Sequence, residues 1–242
     1  MRVIVTRPRR QGERTAIRLA ELGHEALLLP LTCPVHDPKA ARHALARSAG
    51  AIAATSAEAI HTLRDIGPLD AADQQRPFFA VGKATAAEAS ETGFESIHHA
   101  DGSGMQLADL ISDHRALLGG KPLIYLAGSP RTEGFETRLG ELGIPFETIE
   151  CYRMRNIEPE EAELRGLLID KPADAVLLYS RHTAERFFSL PLIKRHLNIL
   201  ENTRLFCLSE AIATVVPDFL RSNVEIPGMS DEESLLTLLA AA

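Results

Sequence analysis

A recurring feature of this 242-residue chain is a hydroxyl or cationic side chain placed directly after a short apolar run. Buried parallel strands have the form of such runs, and ligands of parallel sheets bind outside the carboxyl ends of the strands. Ser and Thr at these places can simply cap the next helix, or they can join exposed helix amides and cations in binding an anion. Both interpretations stay open for each residue. The candidate anion-binding residues are Thr6, Arg7, Thr55, Ser56, Lys83, Thr85, Arg131, Ser180 and Ser209.

Tyr152 is a candidate of a different kind. It closes the predicted strand Thr148–Tyr152 and is followed by Arg153. A tyrosine at a strand end either packs half-buried or donates a hydrogen bond or a proton inside a cleft. The other two tyrosines, Tyr125 and Tyr179, lie within apolar runs, which predicts that they belong to the core.

Motifs for nucleotide, metal or hydrolase chemistry are absent from the sequence. It has no P-loop, no GxGxxG after a strand and no Gly-x-Ser-x-Gly elbow. Cys33, Cys151 and Cys207 lack a CxxC spacing, and the adjacent His98 and His99 lack further ligands at helical spacing. These observations predict an enzyme, if the chain is one, that uses neither a metal nor a cofactor.

Composition restricts the partners and the compartment. The net charge of −7 argues against nucleic acid as a partner, although a cleft can still be locally basic. No apolar stretch approaches the roughly 20 residues that span a bilayer. The N-terminus resembles a first strand followed by arginines more than a signal peptide. We therefore predict a cytoplasmic protein that does not bind membranes.

Apolar runs alternate with amphipathic stretches along the whole chain, which predicts βαβ units and parallel sheets covered on both faces. The chain also repeats itself. Arg18–Gly23 reads Arg-Leu-Ala-Glu-Leu-Gly, and Arg138–Gly143, 120 residues later, reads Arg-Leu-Gly-Glu-Leu-Gly. The same offset pairs the predicted strands at Val3 and Leu123. The sequence thus predicts two similar α/β halves that meet near Gly119.

The order and spacing of these motifs resemble the uroporphyrinogen-III synthase family over essentially the whole chain. The segments that carry the resemblance are Val5–Pro8, Leu22–Gly23, Leu29–Pro30, Thr55–Ala59, Ala80–Ala86, Gly93–Phe94, Leu107, Gly128, Arg131, Leu139–Gly143, Glu150–Tyr152, Ser180 and Leu208–Ser209. One stretch departs from the family pattern. Ser209–Ala213 reads Ser-Glu-Ala-Ile-Ala where relatives commonly have Gly-x-Thr-Thr-Ala, so the two threonine hydroxyls of relatives are missing at Ala211 and Ile212.

The resemblance implies a particular fold. The family has two flavodoxin-like, three-layer α/β/α domains from an internal duplication, completed by exchange between the repeats. Here the first domain would be residues 1–32 plus 156–242 and the second 37–149, joined by linker strands 31–36 and 150–156. This division replaces the tandem halves that the repeat alone suggests. A two-stranded connection implies a hinge, and relatives are usually monomers.

The resemblance also implies a reaction. Members of the family are lyases of heme biosynthesis that close hydroxymethylbilane, a linear tetrapyrrole with eight carboxylates, to uroporphyrinogen III. Water is lost and ring D is inverted through an azafulvenium cation and a spiro intermediate. By resemblance, Tyr152 would protonate or hydrogen-bond the leaving hydroxyl, and the candidate anion-binding residues would hold carboxylates. A transient handover of the bilane from the preceding pathway enzyme is left open.

The alternative is a hinge-type two-domain protein that binds or senses a small molecule without catalysis. The lack of a signal peptide and of any segment left over for DNA binding counts against this alternative.

Overall fold

The structure is a computed structural model that describes residues 1–240. Residues 241 and 242, to which the predicted first domain extends, lie outside the described residues. The chain divides into two compact units. The discontinuous unit comprises Met1–Cys33 and the chain from Arg155 onward, and the continuous unit comprises Pro34–Met154.

The elements alternate as the sequence pattern predicts. The strands are β1 (Arg2–Val5), β2 (Glu25–Leu28), β3 (Thr32–His36), β4 (Ile52–Ala54), β5 (Phe78–Val81), β6 (Ile97–Ala100), β7 (Leu123–Ser129), β8 (Phe146–Asn156), β9 (Ala175–Leu178), β10 (Arg204–Cys207) and β11 (Val224–Glu225). The α-helices are α1 (Arg9–Glu21), α2 (Pro38–Arg47), α3 (Ala57–Arg64), α4 (Ala71–Gln74), α5 (Gly82–Thr92), α6 (Gly104–Asp113), α7 (Gly134–Glu141), α8 (Glu161–Arg165), α9 (Arg181–Ser189), α10 (Pro191–Arg195), α11 (Glu210–Ala213) and α12 (Glu232–Ala240). Short 3₁₀ or π-helical turns cover Arg115–Leu118, Gly166–Asp170, Leu197–Leu200 and Asp218–Asn223. No helix in the described part of the chain is long and apolar enough to cross a membrane.

The discontinuous unit is built on a five-stranded parallel sheet in the order β11-β10-β9-β1-β2. Counted from β2, this is the flavodoxin-like order 2-1-3-4-5. Side chains alternate between the faces of the sheet. Val3 and Val5 enter one apolar cluster, whereas Ile4 enters the other. Both faces are therefore buried, and this explains why the strands are continuous apolar runs.

The continuous unit has a six-stranded sheet in the order β3-β8-β7-β4-β5-β6. Counted from β8, its last five strands repeat the 2-1-3-4-5 order of the discontinuous unit. The strands at Val3 and Leu123, paired by the sequence repeat, occupy the same place in the two sheets. Each unit joins the first two strands of one repeat to the last three of the other. The predicted fold class, two flavodoxin-like parallel sheets from an internal duplication, is confirmed.

Candidate functional site

A β-bulge interrupts the pairing of β7 with β8 at their carboxyl ends. Ala127 lies opposite Glu150 and Gly128 lies opposite Tyr152, so Cys151 is the additional residue. A bulge redirects the side chains around it. Cys151 is fully buried in an apolar cluster, and Tyr152 packs half-buried against the same cluster. The bulge therefore places a phenol at the sheet edge where parallel sheets bind ligands.

Gly128 provides the space in which the Tyr152 ring lies. A methyl carbon built on Gly128 would be 2.5 Å from the ring atom Cε2 and nearer still to Cζ and Oη. Gly128 is not among the glycines with positive φ. The glycine is thus required for the close approach of the ring rather than for an unusual backbone conformation.

The phenol of Tyr152 is held in its protonated form. Burial raises its pKa to about 12, and the negative charge of Glu58 adds to the shift. A hydrogen bond with Ser56 acts in the opposite direction but does not cancel the shift. Water has a pKa of about 15.7, so even this weak acid transfers a proton favourably to a departing hydroxide. At neutral pH, Tyr152 can therefore serve as a proton or hydrogen-bond donor.

Thr55 and Ser56 form the turn from β4 into α3. Ser56 is the N-cap of α3, because its Oγ accepts a hydrogen bond from the Glu58 N–H at 3.3 Å. The Thr55 Oγ1 lies 3.0 Å from the hydroxyl oxygen of Tyr125. Tyr125 is 1% exposed, and burial raises the pKa of its phenol. Tyr125 thus lies in the core as predicted, but no sequence pattern indicates its polar contact with Thr55.

The turn from β5 into α5 presents backbone amides. Gly82 has a φ of +75°, which lets the chain turn directly from the strand into the helix. No side chain of the described residues caps α5 by a hydrogen bond at its N-cap position. Lys83 is exposed in the first turn, and Thr85 is buried. Amides and a cation at the positive end of a helix suit a carboxylate.

Arg131 follows β7 and is already paired with an acid. Its guanidinium donates to both carboxylate oxygens of Glu136, at 3.0 and 3.2 Å. This hydrogen bond raises the pKa of Arg131 and lowers that of Glu136. A surface cavity of about 500 Å³ is lined by these two residues together with Pro130, Glu133 and Thr137. A ligand carboxylate would therefore compete with Glu136 for Arg131.

Thr6 and Arg7, in the discontinuous unit, make structural contacts. Thr6 is fully buried and its hydroxyl donates to the Leu177 carbonyl at 2.7 Å. The Arg7 guanidinium lies 4.2 Å from the centre of the Tyr179 ring and 2.8 Å from a carboxylate oxygen of Glu232. Both side chains thus join the β1 end to neighbouring elements of their unit.

Ser180 and Ser209 follow β9 and β10 in the same unit. Ser180 is exposed and caps α9, accepting from the Thr183 N–H at 3.1 Å. Ser209 precedes the short helix α11 without a side-chain capping bond in the described structure. The sequence allowed the Ser180 hydroxyl to cap a helix or to contact a ligand. In the structure it caps α9.

The structure brings Thr55, Ser56 and Tyr152 together in the continuous unit, with Arg131 after the neighbouring strand β7. Sequence analysis missed Gly128 as a contact of the phenol, and it missed Glu136 as the partner of Arg131.

Among residues 1–240, no group of three or more His, Cys, Asp or Glu side chains could hold a metal ion. His98 lies against the rings of Phe79 and His114, at centroid distances of 5.2 and 5.0 Å.

Buried thiols and phenols make the fold sensitive to alkaline pH. Burial raises the pKa values of Cys151 and Cys207 from 9.0 to about 12, and that of Tyr152 from 10.0 to about 12. Between pH 9 and 12 the unfolded chain has lost protons that the folded chain retains, so the free energy of unfolding falls as the pH rises. We expect a fall of about 4 to 5 kcal/mol from pH 8.0 to pH 10.5, of which the two thiols contribute about 4 kcal/mol.

Urea denaturation at the two pH values, at constant ionic strength, measures this loss. In the double variant Cys151→Ala, Cys207→Ala the fall should be smaller by at least half. Cys33→Ala, at a partly exposed position, is the matched control. An equal fall in the wild type and the double variant would show that these thiols do not cause the pH dependence.

Comparison with known proteins places the chain in a family. The family model described as uroporphyrinogen-III synthase HemD matches residues 13–236. No curated protein matches the sequence significantly. Among solved structures, the chain is similar to the uroporphyrinogen-III synthetase from Helicobacter pylori, with a TM-score of 0.63, 19% identity and coverage of 100% of this chain and 99% of that chain. It is also similar to a mutant uroporphyrinogen III synthase from Thermus thermophilus, with a TM-score of 0.57, 18% identity and coverage of 100% of this chain and 98% of that chain.

At these identities the two structures establish the fold, and the family model, which covers most of the chain, establishes the family. The resemblance seen in the sequence is confirmed. The chain belongs to the uroporphyrinogen-III synthase family of heme-biosynthesis enzymes.

Proposed function

We propose that this protein is an active uroporphyrinogen-III synthase, a lyase that converts hydroxymethylbilane to uroporphyrinogen III and water with inversion of ring D. Family membership supports the reaction. The observation that carries the proposal for the site is the protonated phenol of Tyr152, presented by a β-bulge beside Ser56 at a carboxyl edge of the sheet. The donor that hydroxide departure requires is thus available at neutral pH.

The proposed chemistry begins at the hydroxymethyl group. Its C–O bond breaks with the electron pair of the adjacent pyrrole nitrogen, while Tyr152 donates its proton to the departing oxygen. The products are water, an azafulvenium cation and the Tyr152 phenolate. The substituted α-carbon of ring D attacks the methylene carbon of this cation and forms the spiro intermediate. The bond between that α-carbon and the bridge to ring C then breaks, and the free α-carbon of ring D bonds to the bridge carbon instead, which inverts ring D. The proton lost from the free α-carbon of ring D at the last step balances the one that Tyr152 gave.

Control of the bilane's conformation is the second part of the proposed mechanism, because the free substrate closes unaided to the wrong isomer. Proximity and orientation account for a large share of such catalysis. We propose that carboxylates of the bilane bind at the first turns of α3 and α5, through Thr55, Ser56, Lys83, Thr85 and nearby amides. Arg131 would take a carboxylate in place of Glu136. Thr6, Arg7, Ser180 and Ser209 are retained as proposed contacts, with Thr6 acting through its backbone since its side chain is buried.

The product isomer tests this function directly. The protein is added to freshly prepared hydroxymethylbilane, the product is oxidised, and the type I and type III isomers are separated. We expect predominantly type III with the protein and type I without it. Type I product alone, as in the reaction without protein, would rule out synthase activity.

A further inference from the structure

A series of acidic and basic side chains, buried at its centre, lies next to the bulge that carries Tyr152, within the continuous unit. We call it the acid–base series. In order of contact, its members are Asp65, His36, Glu58, His61, Glu88 and Arg64. Glu58, His61 and Glu88 are each no more than 4% exposed. The mechanism proposed above uses none of these side chains, so their burial needs another explanation.

Glu58 is the centre of the acid–base series. Its Oε2 lies 3.2 Å from His36 Nε2 and 3.2 Å from His61 Nδ1. The far nitrogen of His36 is 2.6 Å from Asp65 Oδ2, and that of His61 is 3.3 Å from Glu88 Oε2. One carboxylate therefore connects the end of β3, where His36 lies, to the middle of α3, where His61 lies.

The same two segments hold the peptide that precedes Tyr152. The Cys151 carbonyl accepts a hydrogen bond from the Asp37 N–H at 2.7 Å. It also shares the single hydrogen of the Thr62 hydroxyl, 3.4 Å away, with the Glu58 carbonyl at 3.1 Å. Asp37 is the neighbour of His36 in the chain, and Thr62 is the neighbour of His61. Glu58 thus links the residues that lie next to these two donors.

The backbone of Glu58 is also linked to the phenol of Tyr152 through Ser56. Its backbone N–H donates to the Ser56 Oγ, and Ser56 forms the hydrogen bond with Tyr152. Burial raises the pKa of Glu58, but the hydrogen bonds and charges of His61 and His36 together outweigh burial, and the net effect lowers the pKa. A buried ionised carboxylate is a poor means of stabilisation compared with apolar packing, so its presence here points to a role in placement.

We propose that Glu58 is a positioning residue for Tyr152, which it places by holding His36 and His61 with one carboxylate oxygen and so fixing both donors to the Cys151 carbonyl. The inference rests on the proposed function, because the position of the phenol matters for turnover only if Tyr152 donates to the bilane.

Glu58→Gln tests the role, because it keeps the shape of the side chain and removes its charge. Glu91→Gln is the matched control. Glu91 lies on α5, its side chain is 69% exposed, and it pairs with Arg64 at 3.0 Å, so this variant removes a carboxylate beside the same series without touching Glu58. Two measurements are made: kcat and KM for hydroxymethylbilane, and the NMR spectrum of protein labelled with ¹³C at Cζ of tyrosine at pH 7.5. The chain has only three tyrosines, so Tyr→Phe variants assign all three resonances.

In Glu58→Gln we expect the Tyr152 resonance to shift by more than its linewidth or to split, while those of Tyr125 and Tyr179 stay in place. We expect kcat to fall by roughly 10- to 100-fold, since a displacement of about 1 Å has an effect of that size, with KM within about twofold. Glu91→Gln should change neither measurement. If Glu58→Gln does not fold, His36→Gln replaces it, because His36 is more exposed and its substitution removes the link to β3 alone.

An unmoved Tyr152 resonance in the folded variant would overturn the proposal, and so would a moved resonance with wild-type kcat. The NMR measurement needs no substrate, which separates this proposal from the proposed function. A wild-type protein without synthase activity, whose Tyr152 resonance still moves in Glu58→Gln, would overturn the proposed function and leave the placement of Tyr152 by Glu58 supported.

Discussion

Replacing Tyr152 by Phe should lower kcat for the formation of uroporphyrinogen III by about 100-fold, the effect typical of losing a general acid. The ring still fits against Gly128 in this variant, so only the hydroxyl and its proton are lost. Some activity should remain, because binding and orientation of the bilane are retained. The measurement is the initial rate of type III formation at saturating substrate, with circular dichroism to show that the variant is folded.

Tyr179→Phe is the matched control for this substitution. Tyr179 is also substantially buried, and its phenol donates to Glu232 at 3.0 Å in the discontinuous unit. Its loss should reduce stability but leave kcat within about threefold of wild type. A folded Tyr152→Phe protein that turns over the bilane at the wild-type rate would show that the phenol is not the proton donor.

Gly128→Ala should lower kcat by a similar factor, although it keeps the phenol and changes only the space around it. The new methyl group would occupy the space of the Tyr152 ring, so either the ring or the bulge must move. We expect kcat to fall by about 100-fold through misplacement and stability to fall by about 1 to 3 kcal/mol through overpacking. The rates and a urea denaturation curve measure the two effects.

Gly140→Ala is the control for the glycine substitution. Gly140 lies in α7, and a methyl group there meets no described atom within 4 Å. It should leave activity unchanged and stabilise the helix by up to about 1 kcal/mol. The double variant Gly128→Ala, Tyr152→Phe should be no slower than Tyr152→Phe alone, because both changes act on the same hydroxyl. Fully additive losses would mean that Gly128 acts on something other than Tyr152.

The sequence repeat predicted more of the fold than the strand pattern did, because it showed that two sheets are equivalent. The offset between Val3 and Leu123 predicted two equivalent first strands, and the structure has them at equivalent places in two sheets of the same order. Strand and helix types follow from local periodicity, which is visible in one sequence. The exchange of strands between the repeats depends on pairing between distant segments, and it was expected only from the family resemblance.

The candidate site was predictable in its residue types but not in its contacts. Ser56 and Ser180 cap helices, as their place before helical segments predicts. The bulge at Cys151 could not be foreseen, because one additional residue in β8 is defined only by its partner strand. The ion pair between Arg7 and Glu232 likewise joins residues 225 positions apart, and no local pattern reveals such a pair.

The exchange of strands also determines the order in which the protein can fold as it is made. The continuous unit is one unbroken segment, and all of it is available once Met154 has been synthesised. β1 and β2 are made first, yet the neighbour of β1 on the other side, β9, begins only at Ala175, after that segment is complete. β1 therefore lacks its partner on that side until β9 has been synthesised. The sheet that carries Tyr152 is the first whose strands have all been made during translation.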